Sequence, residues 1–176
     1  EEATAKTIGG KHVRNGGTGV WRSGPAAPSF KHEEVLPRIT EEAVGILQQQ
    51  KENQPFFLYL PFSAPHTPWL PTEEFRNTTG AGTYGDFVAQ VDHSIQRILQ
   101  TLDQENLTEN TLVIFTSDNG AHWTPQEIET YQHRANLHLR GQKADIWEGG
   151  HRVPFIVRWP KHIAPNSTSD SLIGLQ

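Results

Sequence analysis

The stretch from Thr111 to Gly120 constrains the fold of this chain more than any other. Its first half, Thr111-Leu112-Val113-Ile114-Phe115-Thr116, is an apolar, β-branched and aromatic run too short to form a separate helix. Such a run predicts a strand buried on both faces, as in the interior of a parallel sheet. The polar residues and the glycine of Ser117-Asp118-Asn119-Gly120 then predict a turn. We therefore expect an α/β chain with this turn at the carboxyl end of a strand, where open sheets bind their ligands.

Asp118 and Asn119 are the first candidate site residues. Together they offer a carboxylate and an amide oxygen, which are hard ligands suited to Ca²⁺ or Mg²⁺. The same dipeptide also suits an Asx turn that closes an ordinary strand. The residues alone leave both interpretations open.

Composition limits the remaining classes of function. The chain has 176 residues, a net charge of −5 and no cysteine. The acidic balance argues against a nucleic-acid partner, because phosphate binding needs a basic surface. No window is long and apolar enough to predict a transmembrane segment. The absence of cysteine excludes disulfides and a cysteine nucleophile from this sequence, and Glu1 is not a natural start, so we expect the N-terminal region to lie outside it.

Periodicity and turn residues predict the other elements. The glycine-rich residues 1–30 predict loop, with a short strand around Val20-Trp21, and Pro37 with Thr40 predicts the start of a helix that ends near residues 51–53. Apolar residues at helical spacing predict a long helix over residues 87–102. Two further strands are predicted at Phe56-Phe57-Leu58-Tyr59-Leu60 and at Phe155-Ile156-Val157.

Two loops carry further candidate residues. His66 lies in Pro65-His66-Thr67-Pro68, directly after a predicted strand, where the prolines restrict the backbone. It is either a site residue or a surface histidine without a role.

Lys143 lies in the loop between Gly141 and Gly149, and is either an exposed lysine or a cation that holds an anionic substrate. Three Asn-x-Thr patterns, at Asn77, Asn106 and Asn166, match the N-glycan acceptor motif of proteins that eukaryotes secrete.

Three stretches follow one another along the chain, and the long helix precedes the second of them: Ala64-Pro65-His66-Thr67-Pro68, Phe115-Thr116-Ser117-Asp118-Asn119-Gly120, and Leu139-Arg140-Gly141-Gln142-Lys143 continuing into Trp147-Glu148-Gly149-Gly150-His151-Arg152-Val153-Pro154. Together, and in this order, they resemble one family, the sulfatases of the arylsulfatase type. The resemblance covers residues 55 to 160 best.

The resemblance implies an alkaline-phosphatase-like α/β sandwich, with a mostly parallel central sheet flanked by helices, that hydrolyses sulfate esters. It implies that Asp118 and Asn119 ligate a divalent cation, usually Ca²⁺ with Mg²⁺ as the alternative. It implies that Lys143 and His66 contact the substrate sulfate and take part in catalysis. It further implies a sulfated glycan or aryl sulfate as substrate, and a secreted, periplasmic or lysosome-like location.

This sequence departs from the family pattern at the nucleophile. The family uses a formylglycine made within a Cys/Ser-x-Pro-x-Arg motif, whereas this chain has no cysteine and Ser23-Gly24-Pro25-Ala26-Ala27 lacks the arginine. We therefore expect residues 1–176 to be part of a single sulfatase catalytic domain whose nucleophile region and C-terminal end lie elsewhere, and to be inactive alone. Two alternatives stay open: a phosphoesterase of the same superfamily, and a homologue that binds anionic glycans without turnover.

Overall fold

The computed structural model describes residues 6–14, 17–51 and 54–174, with backbone alone for residues up to 26. The described residues up to Thr101 form one compact unit, and those from Leu102 onward form a second. Among the described residues no helix is both long and apolar enough to cross a membrane.

The first unit begins with a hairpin where the sequence predicted loop. Strand β1, Lys6–Arg14, pairs antiparallel with β2, Gly17–Ala26, and the register shifts between Ile8 and Gly10. The prediction of loop over residues 1–30 is therefore wrong for both strands, while the short strand expected around Val20-Trp21 lies within β2. Glycine is depleted in strands on average, but backbone pairing does not require side chains. Residues 1–5 and 15–16 lie outside the described part.

Helix α1, Val35–Gln48, follows a short 3-10 helix at His32–Glu34 and starts five residues before the predicted Thr40. Pro37 lies in its first turn, where a backbone N–H has no helical acceptor and a proline costs little. Thr40 lies inside the helix, where its hydroxyl donates to Leu36 O at 2.8 Å, so it is not the N-cap. The helix ends slightly before the predicted residues 51–53, of which 52 and 53 lie outside the described part.

The predicted strand at Phe56–Leu60 is not a strand in this structure, since residues 54–62 carry neither helix nor ladder pairing. The side chains alternate in exposure, with Phe57 91% and Tyr59 76% exposed. Alternation suits a strand, but a strand also needs a hydrogen-bonding neighbour, and the described residues provide none.

Helix α2, Gly82–Gln104, confirms the long predicted helix and extends it by five residues at its start. Its Phe87 packs with Leu36 of α1 and with Ala64 in a small apolar core, against which Phe62, Trp69 and Val91 lie partly buried. The Pro-rich loop that carries His66 is therefore attached to this core through Ala64.

The second unit contains the central strand. Strand β3, Val113–Thr116, pairs antiparallel with β4, Phe155–Arg158. Both strands were predicted, but the burial predicted for both faces of β3 is wrong, because Ile114 is 53% and Phe115 38% exposed. Both strand pairs of the described residues are antiparallel, so the expected parallel pairing is not found between them.

Short helices complete the chain, and none of them was predicted. They are α3, Pro125–Tyr131, α4, Glu148–His151, and two single 3-10 turns at Glu73–Phe75 and Thr108–Asn110. Helix α3 begins with a capping box in which Thr124 and Glu127 satisfy each other's backbone N–H groups.

Asp86, near the start of α2, organises the loop that precedes this helix. It is only 4% exposed, and its carboxylate accepts from the N–H groups of Asn77 at 2.8 Å, Thr78 at 3.2 Å and Thr79 at 3.0 Å, and from the Thr79 hydroxyl at 2.9 Å. Burial by itself raises the pKa of Asp86, but these hydrogen bonds outweigh burial and leave the pKa below the ordinary 3.8.

We predict that Asp86→Asn lowers the free energy of unfolding by about 1–3 kcal/mol, because an amide group replaces one acceptor oxygen of a buried network. A carboxyl whose pKa is depressed by folding stabilises the fold above its unfolded-state pKa and loses that contribution as the pH falls through the folded-state pKa. The difference between the wild type and the variant should therefore shrink below pH 3.8. Chemical denaturation at several pH values measures it, and a difference that stays constant with pH would contradict this assignment.

Candidate functional site

The turn after β3 holds Asp118 and Asn119 with their oxygens available. The Ser117 hydroxyl donates to Asn119 O at 3.0 Å, and Asn119 Nδ2 donates to Gly120 O at 3.0 Å. Since the amide nitrogen is engaged by a carbonyl, the amide oxygen of Asn119 faces away from that bond. The Asp118 carboxylate is exposed and makes no hydrogen bond with any described residue.

Glycines lock this turn against α4 and against the loop that carries Lys143. Gly120 N donates to Gly150 O at 2.9 Å, and a Cβ on Gly120 would lie 1.8 Å from Gly149 O. A Cβ on Gly149 would lie 2.2 Å from Gly141 O, and one on Gly150 would lie 2.1 Å from Asp145 O. Real side chains never approach backbone this closely, so the three segments meet in this way only because these positions are glycine.

The Lys143 loop is fixed by its backbone while its ammonium group stays available. Gly141 takes a left-handed φ of 84°, and Asp145 accepts from Gln142 N at 3.0 Å and donates its own N–H to Gln142 O at 2.9 Å. Lys143 N donates to Ala121 O at 3.2 Å, two residues beyond Asn119. The structure therefore places the Lys143 backbone next to the segment that follows the Asp118-Asn119 turn.

The Lys143 side chain is half-buried and has no ion pair or hydrogen bond with the described residues. The Lys31 and Lys161 ammonium groups, by contrast, lie 2.6 Å from Glu34 and 2.7 Å from Glu109. An ammonium group without a counter-charge is available to an anionic ligand.

Asn136 is a structural residue of the site that sequence reasoning missed. Its Oδ1 accepts from Ala121 N at 2.9 Å, and its Nδ2 donates to Ala121 O at 2.8 Å and to Gly141 O at 3.4 Å. One side chain thus ties the segment after Asn119 to the start of the Lys143 loop. A single asparagine in a polar stretch gave no signal for this role.

The aromatic and basic neighbours of the site have structural partners. Trp123 is only 4% exposed, and its Nε1 donates to His133 O at 2.9 Å. The Arg140 guanidinium stacks 3.5 Å from the centre of the Trp147 ring. Arg152 forms a 3.0 Å ion pair with Glu148. Trp123 is therefore a packing residue.

His66 belongs to the first compact unit, so its approach to the other three candidates stays a prediction. It is exposed, its N–H donates to Ser63 O at 3.1 Å, and the peptide bonds Ala64-Pro65 and Thr67-Pro68 on either side are cis. Its Nδ1 lies 2.7 Å from Thr67 O. A carbonyl oxygen only accepts, so Nδ1 carries a proton, and Nε2 donates only when the ring is the imidazolium.

The donor set fits part of a divalent-cation site. Asp118 and Asn119 supply two hard oxygen ligands, whereas Ca²⁺ takes about six to eight. Within the described part of the chain, no group of three or more histidine or acidic side chains is placed to hold a metal. The two residues therefore suit Ca²⁺ chemically, as two ligands of an ion whose other ligands are different groups.

Comparison with known proteins identifies the family. A family model described as Sulfatase matches residues 21–175. The chain is 40% identical over 155 residues to the N-acetylgalactosamine-6-O-sulfatase of Bacteroides thetaiotaomicron, which covers 83% of this chain and 29% of that protein. It is 36% identical over 147 residues to the steryl-sulfatase of Homo sapiens, which covers 80% of this chain and 24% of that protein.

This chain also superposes on a solved structure described as belonging to the metabolism of multiple glycosaminoglycans by Bacteroides thetaiotaomicron. The TM-score is 0.76 at 35% identity, and the match covers 92% of this chain and 36% of that chain. The chain belongs to the sulfatase family. The predicted alkaline-phosphatase-like α/β fold class is thereby confirmed. The chain spans 29% and 24% of the length of the two curated relatives.

We predict that Gly120→Ala disrupts the site, because its Cβ would lie 1.8 Å from Gly149 O. The expected loss of unfolding free energy is about 3 kcal/mol or more, at the upper end for overpacking, because backbone rather than a flexible side chain must move. Thermal or chemical unfolding measures the loss.

The matched control is Gly45→Ala in α1, where a Cβ meets no atom within 4 Å. Alanine in a helix interior is more favourable than glycine by about 0.5–1 kcal/mol, so the control should be slightly more stable than the wild type. Equal effects of the two substitutions would contradict the interlocked backbone described here.

Proposed function

We propose that the complete enzyme to which this chain belongs hydrolyses sulfate esters, and that residues 1–176 are part of its single catalytic domain. The observation that carries the proposal is Lys143, which is half-buried and has no side-chain partner among the described residues, and whose backbone N–H donates to Ala121 O two residues beyond Asn119. A sulfate monoester is a monoanion, and negative charge develops on its bridging oxygen as the S–O bond breaks. Catalysis therefore needs positive charge and donors that are in place before the reaction.

Lys143 supplies one such charge. Its backbone is held by Ala121 O and by the Gln142–Asp145 turn, so the side chain starts from a fixed point while the ammonium at its end stays adjustable. An ammonium offers three donors to sulfate oxygens. We assign Lys143 to substrate binding and to stabilisation of charge in the transition state.

Asp118 and Asn119 are the proposed ligands of a Ca²⁺ ion, with Mg²⁺ as the alternative. When bound, such an ion neutralises substrate charge and favours the deprotonated form of a nucleophile. The expected nucleophile is a formylglycine, which supplies a hydroxyl for attack on sulfur and comes from a part of the protein outside this sequence. The residues of this chain would hold the substrate sulfate and the metal ion near this nucleophile.

His66 is the proposed donor to the leaving alcohol. The Thr67 carbonyl holds the proton on Nδ1, so the proton that the imidazolium can give up is the one on Nε2. Loss of that proton leaves a neutral ring whose remaining proton is already hydrogen-bonded. This arrangement supports a general acid and also suits contact with a sulfate oxygen.

For the substrate we propose a sulfated carbohydrate. The support is the similarity to a relative named N-acetylgalactosamine-6-O-sulfatase and to a structure from glycosaminoglycan metabolism. Family similarity also supports a secreted, periplasmic or lysosome-like location.

We predict that Lys143→Ala lowers kcat/KM for an aryl sulfate by about a hundredfold to a thousandfold in the full-length enzyme, as expected for removal of one preorganised charge contact. Lys143→Arg should recover part of the loss. The control is Lys161→Ala, since Lys161 pairs with Glu109 on the surface. Wild-type activity in Lys143→Ala would refute the role of Lys143, and turnover of an aryl phosphate in preference to the sulfate would favour the phosphoesterase alternative.

We predict that His66→Gln has an effect that depends on the leaving group. Hydrolysis of a sugar sulfate, whose alkoxide needs a proton, should fall much more than that of 4-nitrophenyl sulfate, whose phenolate leaves without one. The comparison uses kcat/KM for both substrates in the full-length enzyme. The control is His93→Gln, which removes an exposed histidine that packs on Phe75. Equal losses on both substrates would leave His66 as a binding residue and not an acid.

We predict that Asp118→Asn weakens Ca²⁺ binding by the full-length enzyme by about tenfold or more, because a charged ligand is replaced by a neutral one. Calorimetric titration measures the affinity, and Asp92→Asn, an exposed position on α2, is the control. A chelator should abolish sulfate-ester hydrolysis and added Ca²⁺ should restore it. Unchanged affinity in Asp118→Asn would remove this residue from the metal site.

A further inference from the structure

The three Asn-x-Thr patterns share a structural setting. Asn77, Asn106 and Asn166 are all exposed, and all three adopt the left-handed backbone conformation, with φ values of 58°, 57° and 59°. They lie in turns: Asn77 follows the 3-10 turn Glu73–Phe75, Asn106 follows the end of α2, and Asn166 follows β4. Both compact units therefore present at least one of these asparagines at the surface.

The side-chain amides of these asparagines have no structural role within the described part of the chain. None of these three side-chain amides forms a hydrogen bond with a described residue. Two asparagines outside the pattern differ, because the amide of Asn119 donates to Gly120 O and that of Asn136 binds both polar atoms of the Ala121 backbone. A group attached to the free amides would meet solvent rather than protein.

A left-handed turn accounts for an asparagine, since this residue tolerates positive φ better than most others. It does not account for a threonine two positions later. The hydroxyls of Thr79 and Thr108 donate to Asp86 and Asp103, which gives these two threonines a structural role. Thr168 has no hydrogen bond with a described residue. At Asn166, therefore, folding explains neither the free amide nor the threonine.

We propose that Asn77, Asn106 and Asn166 are acceptor sites for N-linked glycans. The donor is an oligosaccharide on a polyisoprenyl diphosphate. The bond from Asn Nδ2 to sugar C1 forms as the bond from C1 to the diphosphate oxygen breaks. The lipid diphosphate leaves with the electron pair, and the amide nitrogen loses one proton to the transferase. The product carries a bulky, solubilising group at each of three surface turns.

The folded structure also sets when the transfer occurs. A transferase that recognises the threonine hydroxyl finds Thr79 and Thr108 free only before they bond to Asp86 and Asp103. The test therefore uses chain made in the secretory pathway and not folded protein treated afterwards.

The experiment expresses the full-length protein in a eukaryotic secretory host and maps its peptides by mass spectrometry after peptide N-glycosidase treatment in ¹⁸O-labelled water. Each occupied asparagine becomes a labelled aspartate, so glycans elsewhere do not interfere. We expect label at all three positions and none at Asn110, an exposed asparagine outside the pattern.

The matched variants are Asn77→Asp, Asn106→Asp and Asn166→Asp, because aspartate is nearly isosteric and also tolerates positive φ. Each should lower the mass of the secreted protein by one glycan and leave the other two sites labelled. Absence of label at all three positions in secreted, folded protein would overturn the proposal. An unlabelled single position would overturn the assignment of that residue. Neither result depends on whether the enzyme hydrolyses sulfate.

Discussion

The hydrogen bond from Gly120 N to Gly150 O is the interaction on which the candidate site depends. It brings the end of the central strand against α4 at a distance that no side chain tolerates, since a Cβ on Gly120 would lie 1.8 Å from Gly149 O. The same contact fixes the Lys143 loop, because Gly149 N donates to Arg140 O at 2.7 Å. The Gly-Gly pair that looks like a flexible turn in the sequence is a point of closest packing in the fold.

This packing separates the parts of the site that must be rigid from those that must remain available. The backbone of the turn, the loop and α4 is held by hydrogen bonds and by Asn136, while the Asp118 carboxylate and the Lys143 ammonium have no partners among the described residues. Charge that is fixed before the substrate arrives needs no reorganisation during the reaction, which is the main electrostatic advantage of an enzyme site over water. The arrangement suits a tetrahedral oxyanion, such as sulfate, bound beside a cation.

The sequence predicted the parts of the fold that local pattern determines. The apolar spacing of α2 and the apolar runs of β3 and β4 sufficed to locate those elements. The sequence pattern did not predict the secondary structure correctly where pairing with another segment decides it. Residues 56–60 alternate in exposure yet form no strand without a partner, and glycine-rich residues form the β1–β2 hairpin because the backbone pairs. The clamp of Asn136 is a tertiary contact between residues 15 positions apart, which no local signal encodes.

The central proposal is that Lys143, Asp118 and Asn119, together with His66 as the family resemblance implies, belong to one sulfate-hydrolysing site. The most direct measurement is a crystal structure of the full-length enzyme with a bound sulfate ion and Ca²⁺. We expect Lys143 Nζ and His66 Nε2 to lie within hydrogen-bonding distance of the same sulfate, and oxygens of Asp118 and Asn119 to coordinate the ion at about 2.3–2.6 Å. A sulfate bound without Lys143, or a Ca²⁺ bound without Asp118 and Asn119, would contradict this account.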